Sequence, residues 1–266
     1  MINQADTKSA GVALRVRTQE PIGARPFARL GYVPAVPAEA SPQAGAKTAG
    51  AAPKPAVDLS GGAFGNPFPW PIIPVHLTLL PDGRVLSYGT DQYGNQGGQT
   101  IYDIWYPAIG TGTSAHFTLP NKTTADTFCS AVSVLGNGNA LVVGGDVTVN
   151  GARNYSSNKV ELFDPKHNTL TSAGQMAYPR WYPSITTLPN GDKLVLGGRL
   201  TLTQDLGPPT PELYSTTNGW RSLTGISIDP NDWYYPRGFT GPDGAVYLMA
   251  SNGKISQLTT DFAGQL

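Results

Sequence analysis

From Leu59 onward the chain repeats one short pattern: an apolar run, a glycine-centred turn, a second apolar run and often a closing glycine pair. The turns are PDGR (Pro81 to Arg84), GNGN (Gly136 to Asn139), PNGD (Pro189 to Asp192) and PDGA (Pro242 to Ala245). Their glycines, Gly83, Gly138, Gly191 and Gly244, recur every 53 to 55 residues. The runs that follow, RVLSYG, NALVVGG, DKLVLGG and AVYLMAS, are apolar at consecutive positions, as expected of strands covered on both faces. The segments IYDIWYP, VELFDP, PELYS and KISQLTTDF add a third strand to each repeat. No 3.6-residue periodicity accompanies them, which excludes a helical solenoid.

Each repeat therefore predicts three clear strands with room for a fourth, the content of one β-propeller blade. The period is close to that of kelch repeats, and the predicted fold class is all-β: a kelch-like β-propeller of about four blades. Kelch-type propellers resemble rings of about six or seven blades, and the last repeat stops at Leu266 with its outer strand barely begun. The ring is accordingly expected to be incomplete, with an open blade face available for self-association. Residues 59–266 are assigned to this partial propeller, and residues 1–58 to a tail and linker. Within the tail, Val12 to Arg17 predicts one strand, while Pro34 to Val57 is almost wholly Ala, Pro, Gly and polar residues and cannot bury enough apolar surface to order itself.

Charge narrows the range of partners. Lys+Arg 18 balance Asp+Glu 18, so no basic stripe is available to neutralise a phosphate backbone, and nucleic acid is excluded as a partner. No apolar run approaches the roughly twenty residues of a membrane span, and the opening residues carry no apolar core of an export signal. Neither a membrane anchor nor a signal peptide is predicted. The single cysteine, Cys129, rules out an internal disulfide framework.

Counting back nine residues from the turn glycine reaches Cys129 in one repeat, Tyr182 in the next and Tyr235 in the one after. These positions are equivalent on consecutive inner strands and should face one inter-blade space near the central axis. His76 lies two positions further along the same phase and reads as a channel-lining or packed histidine. Arg180 and Arg237 are expected to stack on Trp181 and Tyr235 or to pair with loop carboxylates. Asp103, Asp126, Asp146 and Asp164 flank strand ends and read as caps of backbone N–H groups. The glycine pairs lack a following helix, so they are strand-end bends that let blades approach rather than phosphate cradles.

The segments DTFCSAVSVLGNGNALVVGG (Asp126 to Gly145) and RWYPSITTLPNGDKLVLGG (Arg180 to Gly198) resemble the cysteine and tyrosine strands of the galactose oxidase and glyoxal oxidase family of copper radical enzymes. The likeness extends from about Trp70 to the end. It implies that Cys129 and Tyr182 are joined by a thioether, that Tyr182 binds copper and carries a radical, and that an extracellular enzyme oxidises a primary alcohol, an aldehyde or a carbohydrate with dioxygen, releasing hydrogen peroxide. Two departures accompany it. The family's tyrosine–histidine pair and second histidine have no counterpart, since none of His76, His116 and His167 follows a tyrosine; this chain alone is expected to bind copper poorly. Arg199 and Leu200 follow the glycine pair where the family commonly places a Trp or His that stacks on the radical. The competing reading is a non-catalytic propeller scaffold that binds a protein or glycan through its loops.

Overall fold

In the computed structural model, the described residues are Gly61, 64–149 and 152–258. The chain divides into two compact units, Gln19–Pro67 and a second one that contains residues 68–258; the account below concerns the second. The predicted strand at Val12 to Arg17 and the linker at Pro34 to Val57 lie outside the described residues.

Seventeen strands are present among the described residues, with no α-helix and so none long enough to cross a membrane. The first sheet runs β1 (Ile73–Leu79), β2 (Val85–Thr90), β3 (Ile101–Trp105) and β4 (His116–Pro120), in sequence order and antiparallel. The second is built from β5 (Ala131–Val134), β6 (Ala140–Val143), β9 (Lys159–Asp164) and β10 (Thr169–Gln175). A separate hairpin, β7 (Asp146–Val149) with β8 (Ala152–Ser156), is inserted between β6 and β9. The third sheet is β11 (Trp181–Thr187), β12 (Lys193–Arg199), β13 (Glu212–Ser215) and β14 (Gly219–Ser222); the fourth is β15 (Arg237–Thr240), β16 (Val246–Met249) and β17 (Ile255–Leu258). These are four successive propeller blades. The outer strands β4, β10 and β14 fill the room left for a fourth strand per repeat.

The four predicted turns fold alike. In each, the turn glycine donates its N–H to the carbonyl three residues earlier: Gly83 to Leu80 (3.0 Å), Gly138 to Leu135, Gly191 to Leu188 and Gly244 to Gly241 (2.9 Å each). All four glycines have positive φ, between 77° and 89°, a conformation that other residues adopt only with strain.

The consecutive apolar residues of the second strands are explained by the cores between blades. On β6, Ala140 and Val142 face the first blade and meet Leu86, Ile104 and Phe163, while Leu141 and Val143 face the third and meet Val195. On β12, Leu194 and Leu196 turn to the fourth blade and join Val246 and Leu248. A strand sandwiched in this way has no solvent face, so alternation disappears. The outward face of β1 has no such cover among the described residues: Ile73, Val75, Leu77 and Leu79 are exposed.

Leu194, fully buried between the third and fourth blades, tests this account. Leu194→Ala is expected to cost roughly 2–5 kcal/mol in urea unfolding, whereas Leu77→Ser on the open face should stay within about 0.5 kcal/mol of wild type.

Candidate functional site

Adjacent blades touch backbone to backbone at their inner ends. Gly145 donates its N–H to the Arg180 carbonyl (3.0 Å), and 53 residues further along Gly198 does the same to Trp233 (2.8 Å). A Cβ on Gly144 would meet the Arg180 carbonyl oxygen of the next blade, and one on Gly197 would fall 2.5 Å from Pro236 Cδ and 2.8 Å from the Trp233 carbonyl oxygen. The glycine pairs thus permit the approach that their position in the sequence suggested.

That approach sets the geometry of the phase-matched residues. Tyr182 N–H donates to the Cys129 carbonyl (3.0 Å) and Tyr235 N–H to the Tyr182 carbonyl (3.2 Å), so the three form an arc linked across blades. All three are left-handed, with φ of 59° at Cys129, 66° at Tyr182 and 41° at Tyr235, and the one other non-glycine residue of this kind among the described residues is Asn168. Left-handed backbone at bulky residues costs energy and persists where the surroundings over-determine it.

The side chains converge as well. Cys129 is buried, and the Tyr182 and Tyr235 hydroxyls lie beside its thiol. Burial pushes the thiol up to about 12; the nearby carboxylates of Asp146 and Asp126 add to the rise, and the two phenols oppose it. Burial also raises the Tyr182 phenol, and the bond to Cys129 raises it further. The Tyr182 ring stacks on Trp181 (centroids 3.8 Å apart, 27° between planes) and lies 4.7 Å from the ring of Tyr235 and 5.2 Å from that of the exposed Tyr234.

Several partners differ from the sequence expectation. Arg180 does not stack on Trp181. It is fully buried, and Nε and Nη2 donate to Glu212 Oε2 (3.0 and 2.9 Å) while Nη1 donates to the Gly197 carbonyl (2.6 Å). The cation above Trp181 is instead Arg199, 4.2 Å from the ring centroid and paired with Asp205 at 3.2 Å. The stack over Tyr182 is therefore Trp181 capped by Arg199. Arg237 is exposed. Asp126, Asp146 and Asp164 do accept local backbone N–H groups, but Asp103 bonds His116 Nδ1 (2.7 Å) and Thr118 Oγ1 (2.9 Å).

Glu212 is the residue that the sequence reading missed, and a signal for it exists. Asp103, Glu161 and Glu212 pair in register with Ser87, Val142 and Val195, and all three acids are buried. An acid inside each apolar third strand, IYDIW, VELF and PELY, marks one recurring interior position.

Copper(II) favours tetragonal nitrogen and oxygen sites. Among the described residues no group of three or more His, Cys, Asp and Glu could hold a metal ion. His76 stacks on Tyr88 with its Nε2 buried, and burial lowers it to about 4. His116 and His167 pair with Asp103 and Asp164. The arc offers two phenol oxygens, Tyr182 Oη and Tyr235 Oη, and no imidazole. These residues do not by themselves fit copper.

Residues 95–261, more than half of the chain, match the family described as glyoxal oxidase N-terminus. The chain is 29% identical over 185 residues to a galactose oxidase of Gibberella zeae, covering 67% of this chain and 25% of that protein. Over 161 residues it is 29% identical to an aldehyde oxidase of Arabidopsis thaliana, covering 58% of this chain and 24% of that protein. It thus spans about a quarter of the length of these relatives. A fungal alcohol oxidase solved in complex with copper superimposes with a TM-score of 0.50 and 22% identity, over 67% of this chain and 37% of that one, and carries the same fold.

The thiol supplies a direct test. Before any exposure to copper, Cys129 should resist iodoacetamide at about pH 8 in the folded chain and react on unfolding. Because its folded pKa lies above the ordinary value of about 9, its stabilisation is complete below that pH and is lost as pH rises toward about 12. The urea midpoint should therefore fall with rising pH in this window, and less steeply in Cys129→Ala.

Proposed function

The chain belongs to the glyoxal oxidase N-terminus family, and on that premise we propose that it carries the protein-derived half of an oxidase redox centre, a thioether between Cys129 Sγ and the ring of Tyr182. The observation that carries this reading is the meeting of a buried thiol and a phenol at the same phase of adjacent blades, held by a backbone hydrogen bond. Forming the cross-link removes the thiol hydrogen and one ring hydrogen ortho to the hydroxyl. The two electrons and two protons go to dioxygen, which becomes hydrogen peroxide.

Sulfur at the ortho position donates electron density to the ring and makes the phenoxyl radical easier to form and hold. Trp181 stacks on the ring and would spread the unpaired spin, while the Arg199 guanidinium beside the pair opposes loss of an electron. Tyr182 Oη is the one copper ligand assigned here. Bound copper would supply the one-electron partner that, with the Tyr182 radical, makes a two-electron oxidant. The proposed substrates are primary alcohols or aldehydes, including sugars, taken up beside the exposed Tyr234 and Trp233, with dioxygen reduced to hydrogen peroxide.

The competing reading, a propeller scaffold without catalysis, draws on one observation: the described residues hold no grouped metal ligands. The full-length gene product, exposed to copper(II) and dioxygen, separates the two. Peptide mapping should yield the Cys129 and Tyr182 peptides as one species, lighter than their sum by two hydrogen atoms, and Cys129→Ser should abolish it. Two separate peptides, with no peroxide formed from alcohols or aldehydes, would favour the scaffold.

A further inference from the structure

The outer part of the first blade carries a cleft of about 760 Å³, a size suited to a small-molecule ligand. Its lining includes Trp70, Gln92, Tyr93, Thr111, Thr113 and His116, and none of Cys129, Tyr182 and Tyr235 contributes to it.

The inner wall is fixed. Trp70 Nε1 donates to Ser87 Oγ (3.1 Å), and the indole packs edge-on against His116 at 4.7 Å and against Trp105 at 5.3 Å. The His116 side chain is 3% exposed, and its Nδ1 is tied to the fully buried Asp103 carboxylate, whose other oxygen is taken by Thr118. A carboxylate on Nδ1 leaves Nε2 as the free acceptor of the ring. That atom is buried and has no partner in the protein, an arrangement that a bound hydroxyl would relieve.

The rim points to the chemistry of the ligand. Tyr93 is 80% exposed, yet it sits on a braced turn: Asp91 Oδ1 accepts the backbone N–H groups of Tyr93 (2.9 Å) and Asn95 (2.8 Å), and Oδ2 accepts the Asn95 side chain (3.0 Å). An exposed ring on a rigid turn is a contact platform that loses little freedom on binding. No Lys or Arg lines the cleft, so it is not built for a phosphate or a carboxylate, and its one acidic lining residue, Asp91, has both carboxylate oxygens engaged within the turn. Gln92 and the threonines offer neutral donors and acceptors. A pyranose ring combines an apolar C–H face with a circumference of hydroxyls and meets both demands. A proline-rich peptide would also suit the aromatics, but it lacks the N–H donors needed to satisfy His116.

We infer that this cleft is a carbohydrate-binding site for a neutral oligosaccharide, in which Tyr93 stacks on a sugar ring and His116 Nε2 accepts a sugar hydroxyl. The site goes beyond the redox centre proposed above and does not depend on it. The test titrates the full chain with cellohexaose, with xylohexaose and with a peptide of the sequence of residues 34–57, following tryptophan fluorescence. Saturable binding of at least one hexaose is expected, weakened about tenfold or more in Tyr93→Ala and unchanged in Phe239→Ser, an exposed position on β15 outside the cleft. Tyr93 is exposed, so its replacement leaves the fold intact. Absence of saturable binding to both hexaoses, equal binding by Tyr93→Ala, loss of binding in Phe239→Ser, or preference for the peptide would each overturn the assignment. Success or failure of the cross-link has no bearing on any of these results.

Discussion

The close approach of neighbouring backbones at the inner ends of the blades is the constraint from which the other features follow. Where Gly144 meets Arg180 and Gly197 meets Trp233 and Pro236, there is no room for a β-carbon. The main chains that arrive there are forced into the left-handed region, and the side chains they carry are turned toward one another rather than into separate cores. Arg180 belongs to the same device. Its carbonyl receives the blade before it, and its buried guanidinium is clamped by Glu212 and the Gly197 carbonyl of its own blade. One residue, Trp181, separates that clamp from Tyr182, so an ion pair in the interior of one blade helps to fix a phenol at its tip.

The chain is legible wherever a feature is written locally and repeated. The turn glycines, the unalternating apolar runs and the glycine pairs each state a backbone requirement within a few residues, and counting from Gly138 and Gly191 was enough to bring Cys129 and Tyr182 to the same height. Side-chain pairing across blades or strands was not legible in that way. Arg180 precedes Trp181 in sequence, yet it lies just before β11 begins, and its partner lies 32 residues on in β13. The cation over Trp181 comes from β12, opposite it in register. Neither pairing could be written down without the register, and the register depends on where each hairpin closes.

One interior position serves two ends. At the register shared by Asp103, Glu161 and Glu212, the third blade uses its acid to hold an arginine beneath the Cys129–Tyr182 arc, while the first uses its acid to orient His116 on the outer side of the sheet. A repeat architecture lends itself to this division. The backbone supplies the same protected site in each blade, and the local partner decides whether it supports the axis or the periphery.

The left-handed backbone at Cys129, Tyr182 and Tyr235 sets the interests of the fold against those of the chemistry. Glycine would occupy any of the three with less strain, and replacing a strained residue is among the commonest routes to a more stable protein. Selection for thermal resistance alone would therefore be drawn to these positions and would erode the cysteine–tyrosine arc before the blades. Any programme to harden this protein has to screen for the thiol and the phenols alongside the melting temperature.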